Sequence, residues 1–273
     1  MSAKKQKIVQ ASPKTGPDYA VPALDRGLDV LEVLAACGTR QTLSNVARRM
    51  HQSPSAVFRL LSRLQRRSYV IRDELSGQYS LSLKLFELAH THSPVDYILN
   101  AASRPVMELA ELVNESVHLT VLSHGRLVVL LDVGSPSQIR LAYRVGSQFS
   151  PITTNSGRLL LAYLSPEDLE QFFSKDGDYA SLSKPDREEF NEKLVRIRRD
   201  RYAITVGEEI PGMKDLAVLV GNPAIGTTAA LAIACLGKRR VKVDSDRLIA
   251  SLQECAGQIT NSLGLTYQAL QKP

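Results

Sequence analysis

Between Leu43 and Leu64 the chain repeats one four-position apolar pattern, and this leaves it little freedom in how to fold. Leu43, Val46, Ala47 and Met50 fall at i, i+3, i+4 and i+7, and Val57, Leu60, Leu61 and Leu64 repeat the spacing. Each set lines one face of a helix. His51-Gln52 breaks the pattern, Ser53 follows as an N-cap, and Pro54 takes the first helical position, where its missing N–H costs nothing. Upstream, Leu24, Leu28, Leu31, Val33 and Leu34 predict a first helix ending before Gly38, and Thr42 caps the second. Downstream, Tyr69-Val70-Ile71, a polar stretch through Ser76-Gly77, and Tyr79 and Leu81 predict a hairpin. Three helices and a hairpin make a winged helix-turn-helix.

The charge is concentrated in the same region. Residues 1–90 hold 14 Lys or Arg against 7 Asp or Glu, and residues 91–273 hold 20 against 21, so the net +6 comes entirely from the first third. Such asymmetry points to a polyanion, nucleic acid first and an anionic membrane surface second. Helix pattern, cap, wing and charge coincide, which favours DNA over a protein-contact role for the paired helices. The outer face of the third helix carries Ser55, Arg59, Ser62, Arg63 and Arg66. Ser55 and Ala56 let the helix N-terminus approach base edges, and Arg59 and Arg63 reach guanines or phosphates. Arg59 has a second reading as a brace within the helix-turn-helix. Arg26, Arg40 and Arg72 are the expected phosphate contacts, Arg72 as the cation available on the wing, and Ser44 and Ser53 complete the DNA-binding set.

The expected organisation is a flexible basic arm (1–21), the winged helix-turn-helix (22–82), a linker helix (83–94) and an α+β domain (95–273). In the last, a helix is expected over Val95–Val113, and strands over Glu115–Ser123 and Arg126–Val133, joined across His124-Gly125. A strand at Gln138–Tyr143 follows, then a helix capped by Asn155 or Ser156, one capped by Ser165 and one over Asp186–Arg201. Strands at Leu216–Val220 and Thr227–Leu236 and a closing helix over Asp244–Leu263 complete a mainly antiparallel sheet with helices packed on it. No apolar run approaches the ~20 residues of a membrane span. The polar N-terminus has no secretory pattern, and Cys37, Cys235 and Cys255 are widely spaced in apolar segments. Both predict a cytoplasmic protein with reduced thiols and no membrane partner.

No phosphate-loop, dinucleotide, nucleophile-elbow or zinc-protease motif occurs. His90 and His92 lack companion ligands and read as a solvated helix end, and Glu208-Glu209 reads as a turn or polar rim. His118 alternates with apolar Val117 and Leu119, which leaves two readings: a histidine facing a cavity, or a satisfied core or surface histidine. We expect no enzyme, cofactor or metal; the rival is an enzyme acting on a small organic acid, tethered by its N-terminal module.

Several segments together resemble the IclR-type transcriptional regulators from about Val21 to Gly264. Residues 23–32 (ALDRGLDVLE) resemble that family's first helix, and residues 55–64 (SAVFRLLSRL) its recognition helix. Arg144-Val145-Gly146, residues 154–162 (TNSGRLLLA) and Glu208–Leu216 are similar to later signatures in the family's order. The resemblance implies a winged helix-turn-helix, a linker helix and a GAF-like effector-binding domain. It further implies a homodimer or tetramer on double-stranded operator DNA, with a small organic effector altering binding to a catabolic operon, here read as repression. In members that bind small oxoacids, the loop before a helix offers backbone amides to a carboxylate, and Asn155 and Ser156 occupy those positions. Thr205 stands where an Asp is found, Asp215 where a Cys is found, and Ala232 and Ala234 where two Ser are found. These departures point to a less polar ligand, or one with a hydroxyl donor for Asp215, among acids, lactones and aromatics. The other reading of Asp215 is a solvated strand-end residue.

Overall fold

The computed structural model describes residues 21–91, 94–137, 140–208, 211–223, 227–236 and 245–265. The expected basic arm to residue 20, His92 and Glu209 lie outside them. The chain divides into two compact units, residues 1–93 and 94–273.

The first unit contains α1 (Pro22–Cys37), α2 (Leu43–Arg49), α3 (Pro54–Arg66), the strands β1 (Val70–Arg72) and β2 (Tyr79–Leu81), and α4 (Lys84–Thr91). Local chemistry sets the helix ends. Gly38 takes φ 63° after α1, a left-handed conformation that glycine adopts without steric cost. The Asn45 N–H donates to Thr42 Oγ1 (3.2 Å) and the Ala56 N–H to Ser53 Oγ (3.3 Å), so both expected caps form. The repeated apolar faces meet in one core, with Val46, Ala47, Val57 and Leu61 packed against Val30 and Leu34 of α1 and Val70 and Tyr79 of the hairpin. β1 and β2 pair antiparallel, and Gln41 exchanges backbone hydrogen bonds with Tyr79 (2.8 and 2.7 Å). That exchange anchors the wing to the segment between α1 and α2.

The second unit is a six-stranded antiparallel sheet with helices on both faces. Its elements are α5 (Pro94–Val113), β3 (Ser116–Ser123), β4 (Arg126–Val133), β5 (Gln148–Phe149), α6 (Asn155–Ala162), α7 (Pro166–Lys175), α8 (Gly177–Ser181), α9 (Lys184–Asp200), β6 (Tyr202–Val206), β7 (Met213–Asn222), β8 (Thr227–Leu236) and α10 (Ser245–Ser262). The strand order is β5-β4-β3-β8-β7-β6. His124 and Gly125 take φ 48° and 75°, as the tight hairpin between β3 and β4 requires. Alternation along β8 separates the faces. Leu231, Ile233 and Cys235 join α5 and α10 in one core, while Ala230 and Ala232 join α6 and α9 in the other.

Two expectations are corrected and one strand is added. Residues 140–143 form no strand; Ser116 Oγ donates to the Leu141 carbonyl (2.6 Å), and the Tyr143 ring packs on His118, so side-chain contacts replace ladder pairing. The sheet edge there is the short β5. Neither Asn155 nor Ser156 caps α6; Thr154 holds the cap position, but its hydroxyl turns back to the Ser150 carbonyl (2.9 Å). β6 was not anticipated, because Ile204 and Val206 on its exposed side hide the alternation.

Candidate nucleic-acid interface and ligand-binding face

In the first unit, Ser55, Arg59, Arg63 and Arg66 are exposed along α3, opposite buried Val57 and Leu61. Arg59 and Arg63 form no ion pair among the described residues. Arg26 on α1 and Ser44 at the start of α2 are exposed, and Ala56 is half-buried. Ser53 is exposed, but its hydroxyl caps α3 and lies 3.3 Å from Ser55 Oγ.

Arg40, between α1 and α2, and Arg72 on the wing are both engaged. Arg40 is ion-paired with Asp73. Arg72 is not the available cation the sequence suggested: its Nε donates to the Gly77 carbonyl (3.4 Å) and its guanidinium sits 5.7 Å from the Tyr79 ring centroid. Gly77 itself takes φ 68°, a left-handed turn conformation that favours glycine. Asp73 is held below the usual carboxylate range by hydrogen bonds from the Ser76 backbone and side chain, then by Arg40. Among the described residues, α3 thus presents cations without an ion pair, whereas Arg40 and Arg72 are engaged.

In the second unit, register brings the sheet residues of the expected effector set onto one face. Thr205, Asp215, Ala234 and Ser116 form one row across β6, β7, β8 and β3. Ala203, Ala217, Ala232, His118 and Asp132 form the next. The start of α6 lies over these rows: Asn155 Nδ2 donates to the carbonyls of Ala203 and Asp215 (3.1 Å each). Asp215 is only 4% exposed, which removes the solvated strand-end reading.

This face is short of hydrogen-bond partners. Buried His118 Nδ1, Asp132 Oδ1, Ser150 Oγ and Ser156 Oγ have none among the described residues. Such atoms are rare in native interiors, because each loses water without compensation. His118 is thus neither a satisfied core residue nor a surface one. Burial pushes its imidazole down to about 4, and the tilted Tyr143 ring lies 4.6 Å away between centroids. Burial also raises the Asp132 carboxyl, against the Tyr143 backbone N–H and the Arg140 charge. Hydroxyls, a neutral imidazole and carboxylates gathered beneath an uncapped helix start can hold a small polar molecule.

The loop before α6 is fastened from its other side. Buried Arg158 donates to the carbonyls of Ile152 (3.0 Å) and Thr153 (3.3 Å) and to Glu208 Oε2 (2.5 Å), and Lys193 reaches Glu208 Oε1 (3.0 Å). Burial opposes the Glu208 charge, but Lys193 and Arg158 outweigh it and hold its carboxyl below the usual range. Glu208 is a strut between α6 and α9. The open hollow that Arg158, Lys193 and Glu208 line with Phe190 has these charges already paired.

Ser123 Oγ lies 3.1 Å from His124 Nδ1, but this pair sits at the exposed turn between β3 and β4 and not on the buried face. The Cys255 thiol is pushed up to about 12 by burial and by Glu108 and Glu254, so it is not a thiolate at neutral pH. No cluster of three or more metal-ligating side chains occurs among the described residues.

The buried imidazole has a measurable consequence. An unfolded histidine protonates near pH 6.5 and His118 near 4, so the unfolded chain binds more protons between those values. Stability is expected to fall as the pH drops from about 6.5 to about 4. Urea unfolding of the wild type and His118→Gln across this range checks it: the variant should show the flatter slope, and equal slopes count against a buried neutral imidazole.

Residues 23–74 match the IclR helix-turn-helix domain, and residues 93–261 match the C-terminal domain of bacterial IclR transcriptional regulators. The chain is 27% identical over 244 residues to the HTH-type transcriptional regulator KdgR of Dickeya chrysanthemi, spanning 87% of this chain and 79% of that one. It is 26% identical over 251 residues to the glycerol operon regulatory protein of Streptomyces coelicolor, spanning 89% and 97%. The crystal structure of the IclR transcriptional regulator from Alicyclobacillus acidocaldarius superimposes with a TM-score of 0.72 at 25% identity, over 90% of this chain and 100% of that one.

Proposed function

Because the chain belongs to the IclR family of bacterial transcriptional regulators, we propose that it represses a catabolic operon and that a small organic effector changes its hold on operator DNA. The observation that carries the effector half is the cluster of buried, partnerless polar atoms on the α6 face of the sheet. The DNA half is supported by the unpaired arginines of α3, in a region that holds all of the net positive charge. In this reading Arg59 and Arg63 contact bases from the major groove, with Ser55 and Ala56 allowing close approach. Arg26, Ser44 and Ser53 face phosphates, and Arg40 and Arg72 hold the wing in position while lending it positive potential. Asn155, Ser156, Thr205, Asp215, Ala232 and Ala234 border the effector, joined by His118, Asp132 and Ser150. The small side chains of Ala232 and Ala234 give that wall no hydrogen bonds, so a small oxoacid fits it poorly. An acid, lactone or aromatic with a hydroxyl to donate suits the carboxylates better.

Residues 22–82 act as the DNA-binding module, 83–94 as the linker and 95–273 as the effector domain. The active form is a cytoplasmic homodimer or tetramer, since one winged module reads few base pairs and a symmetric pair spans two half-sites. No described helix is long and apolar enough to cross a membrane.

Footprinting on DNA upstream of the protein's own gene, with and without small carboxylates, lactones and aromatic acids, tests the reading. Binding should weaken steeply and linearly in log salt, as release of counterions from several phosphates demands. A protein that ignores such duplexes at low ionic strength is not an operator-binding repressor.

A further inference from the structure

The recognition helix carries one large apolar side chain that the fold does not use. Phe58 is 48% exposed and is neither in the core of the first unit nor among the side chains packed against it. It lies in the first half of α3, next to Arg59, with Ser55 one turn before it and Ser62 one turn after it on the outer side. Side chains early in the second helix of a helix-turn-helix are those that meet base edges. The serines and arginines around Phe58 supply hydrogen-bond donors for guanines and phosphates. A phenyl ring supplies none, and in the major groove the apolar feature on a base edge is the thymine C5-methyl.

We infer that Phe58 reads a thymine methyl group in each operator half-site, beside the bases contacted by the arginines. This rests on the regulator reading above. A ring in that position also rejects cytosine, which lacks the methyl and presents an N4 donor that the ring would strip of water without replacing its hydrogen bond.

The test begins with duplexes that the full-length protein selects from a random library. Thymines in the selected site are then replaced, one at a time, by deoxyuridine, which removes only the methyl. Wild-type affinity should fall about fourfold at one thymine per half-site, the change expected for losing burial of one methyl group. Phe58→Ala should bind the thymine duplex more weakly and lose its preference for thymine over uracil there, and Phe58→Leu should keep part of it. The wild-type comparison needs no variant, so a poorly folded Phe58→Ala leaves the inference falsifiable. Indifference of the wild type to every replacement overturns it, and so does a full thymine preference in folded Phe58→Ala. A change in oligomeric mass with the preference intact would assign Phe58 to contacts between copies and also overturn it. A library that yields no enriched duplex instead sinks the regulator reading on which the inference stands.

Discussion

Replacing Arg59 and Arg63 together with alanine is expected to lower affinity for the selected operator by about 30-fold or more, with the fold intact. Both side chains are exposed on α3, and the core beneath them is made by Val57 and Leu61. Truncating exposed side chains that make no internal ion pair should shift stability by no more than about 0.5 kcal/mol. The brace reading of Arg59 needs a partner, and no described residue forms an ion pair with it. A good base contact is worth about 1–3 kcal/mol of discrimination, so two together give roughly 30-fold to 20,000-fold. The single variants separate roles. Loss of a base contact lowers specific binding far more than random binding, whereas loss of a phosphate contact lowers both and reduces the salt slope by about one. If Arg63→Ala weakens specific and random DNA equally, Arg63 sits on the backbone. Arg72→Ala should act through the wing, because its guanidinium is tied to Gly77 and Tyr79.

The helix-turn-helix was legible because its signals are local. Caps at Thr42 and Ser53, the left-handed Gly38 and two apolar faces lie within a few residues of the structure they dictate. The candidate ligand face was only half legible. Asn155, Ser156, Thr205 and Asp215 stood out through family likeness, but His118, alternating with Val117 and Leu119, fitted a cavity as well as a satisfied core or surface position. Its meaning appears only with the register that sets it opposite Asp132 and the loop that brings Tyr143 onto it. Glu208 looked like a turn residue because its partner Arg158 is 50 residues away in sequence. Long-range pairing of this kind leaves no local periodicity to detect. The missing strand at Gln138–Tyr143 is the converse error: its alternation is real, but the described part of the segment is held by contacts from Ser116 and His118 rather than by a neighbouring strand.

Gly157→Ala should be the most damaging small substitution in the second unit. A Cβ at Gly157 would lie 2.4 Å from Pro151 Cα, 2.6 Å from the Pro151 carbonyl oxygen and 2.6 Å from Thr154 Oγ1. Two of these are backbone atoms, which cannot rotate away, so the 150–154 loop must lift from α6. Lifting it strains the Arg158 hydrogen bonds to Ile152 and Thr153 and displaces Ser150 and the first turn of α6 together. Overpacking of this kind costs up to about 3 kcal/mol, or roughly 6–12 °C in the midpoint for a unit of this size. Gly177→Ala is the control, since nothing lies within 4 Å of a Cβ there. Thermal unfolding of both variants, beside DNA binding with and without effector, separates the outcomes. Gly157→Ala should lose the effector response while the α3 surface still binds DNA. A midpoint within 1 °C of the wild type, a shift of less than about 0.5 kcal/mol, would falsify the close packing of Gly157 on Pro151. An unchanged effector response at a lowered midpoint would instead remove the α6 start from the effector site.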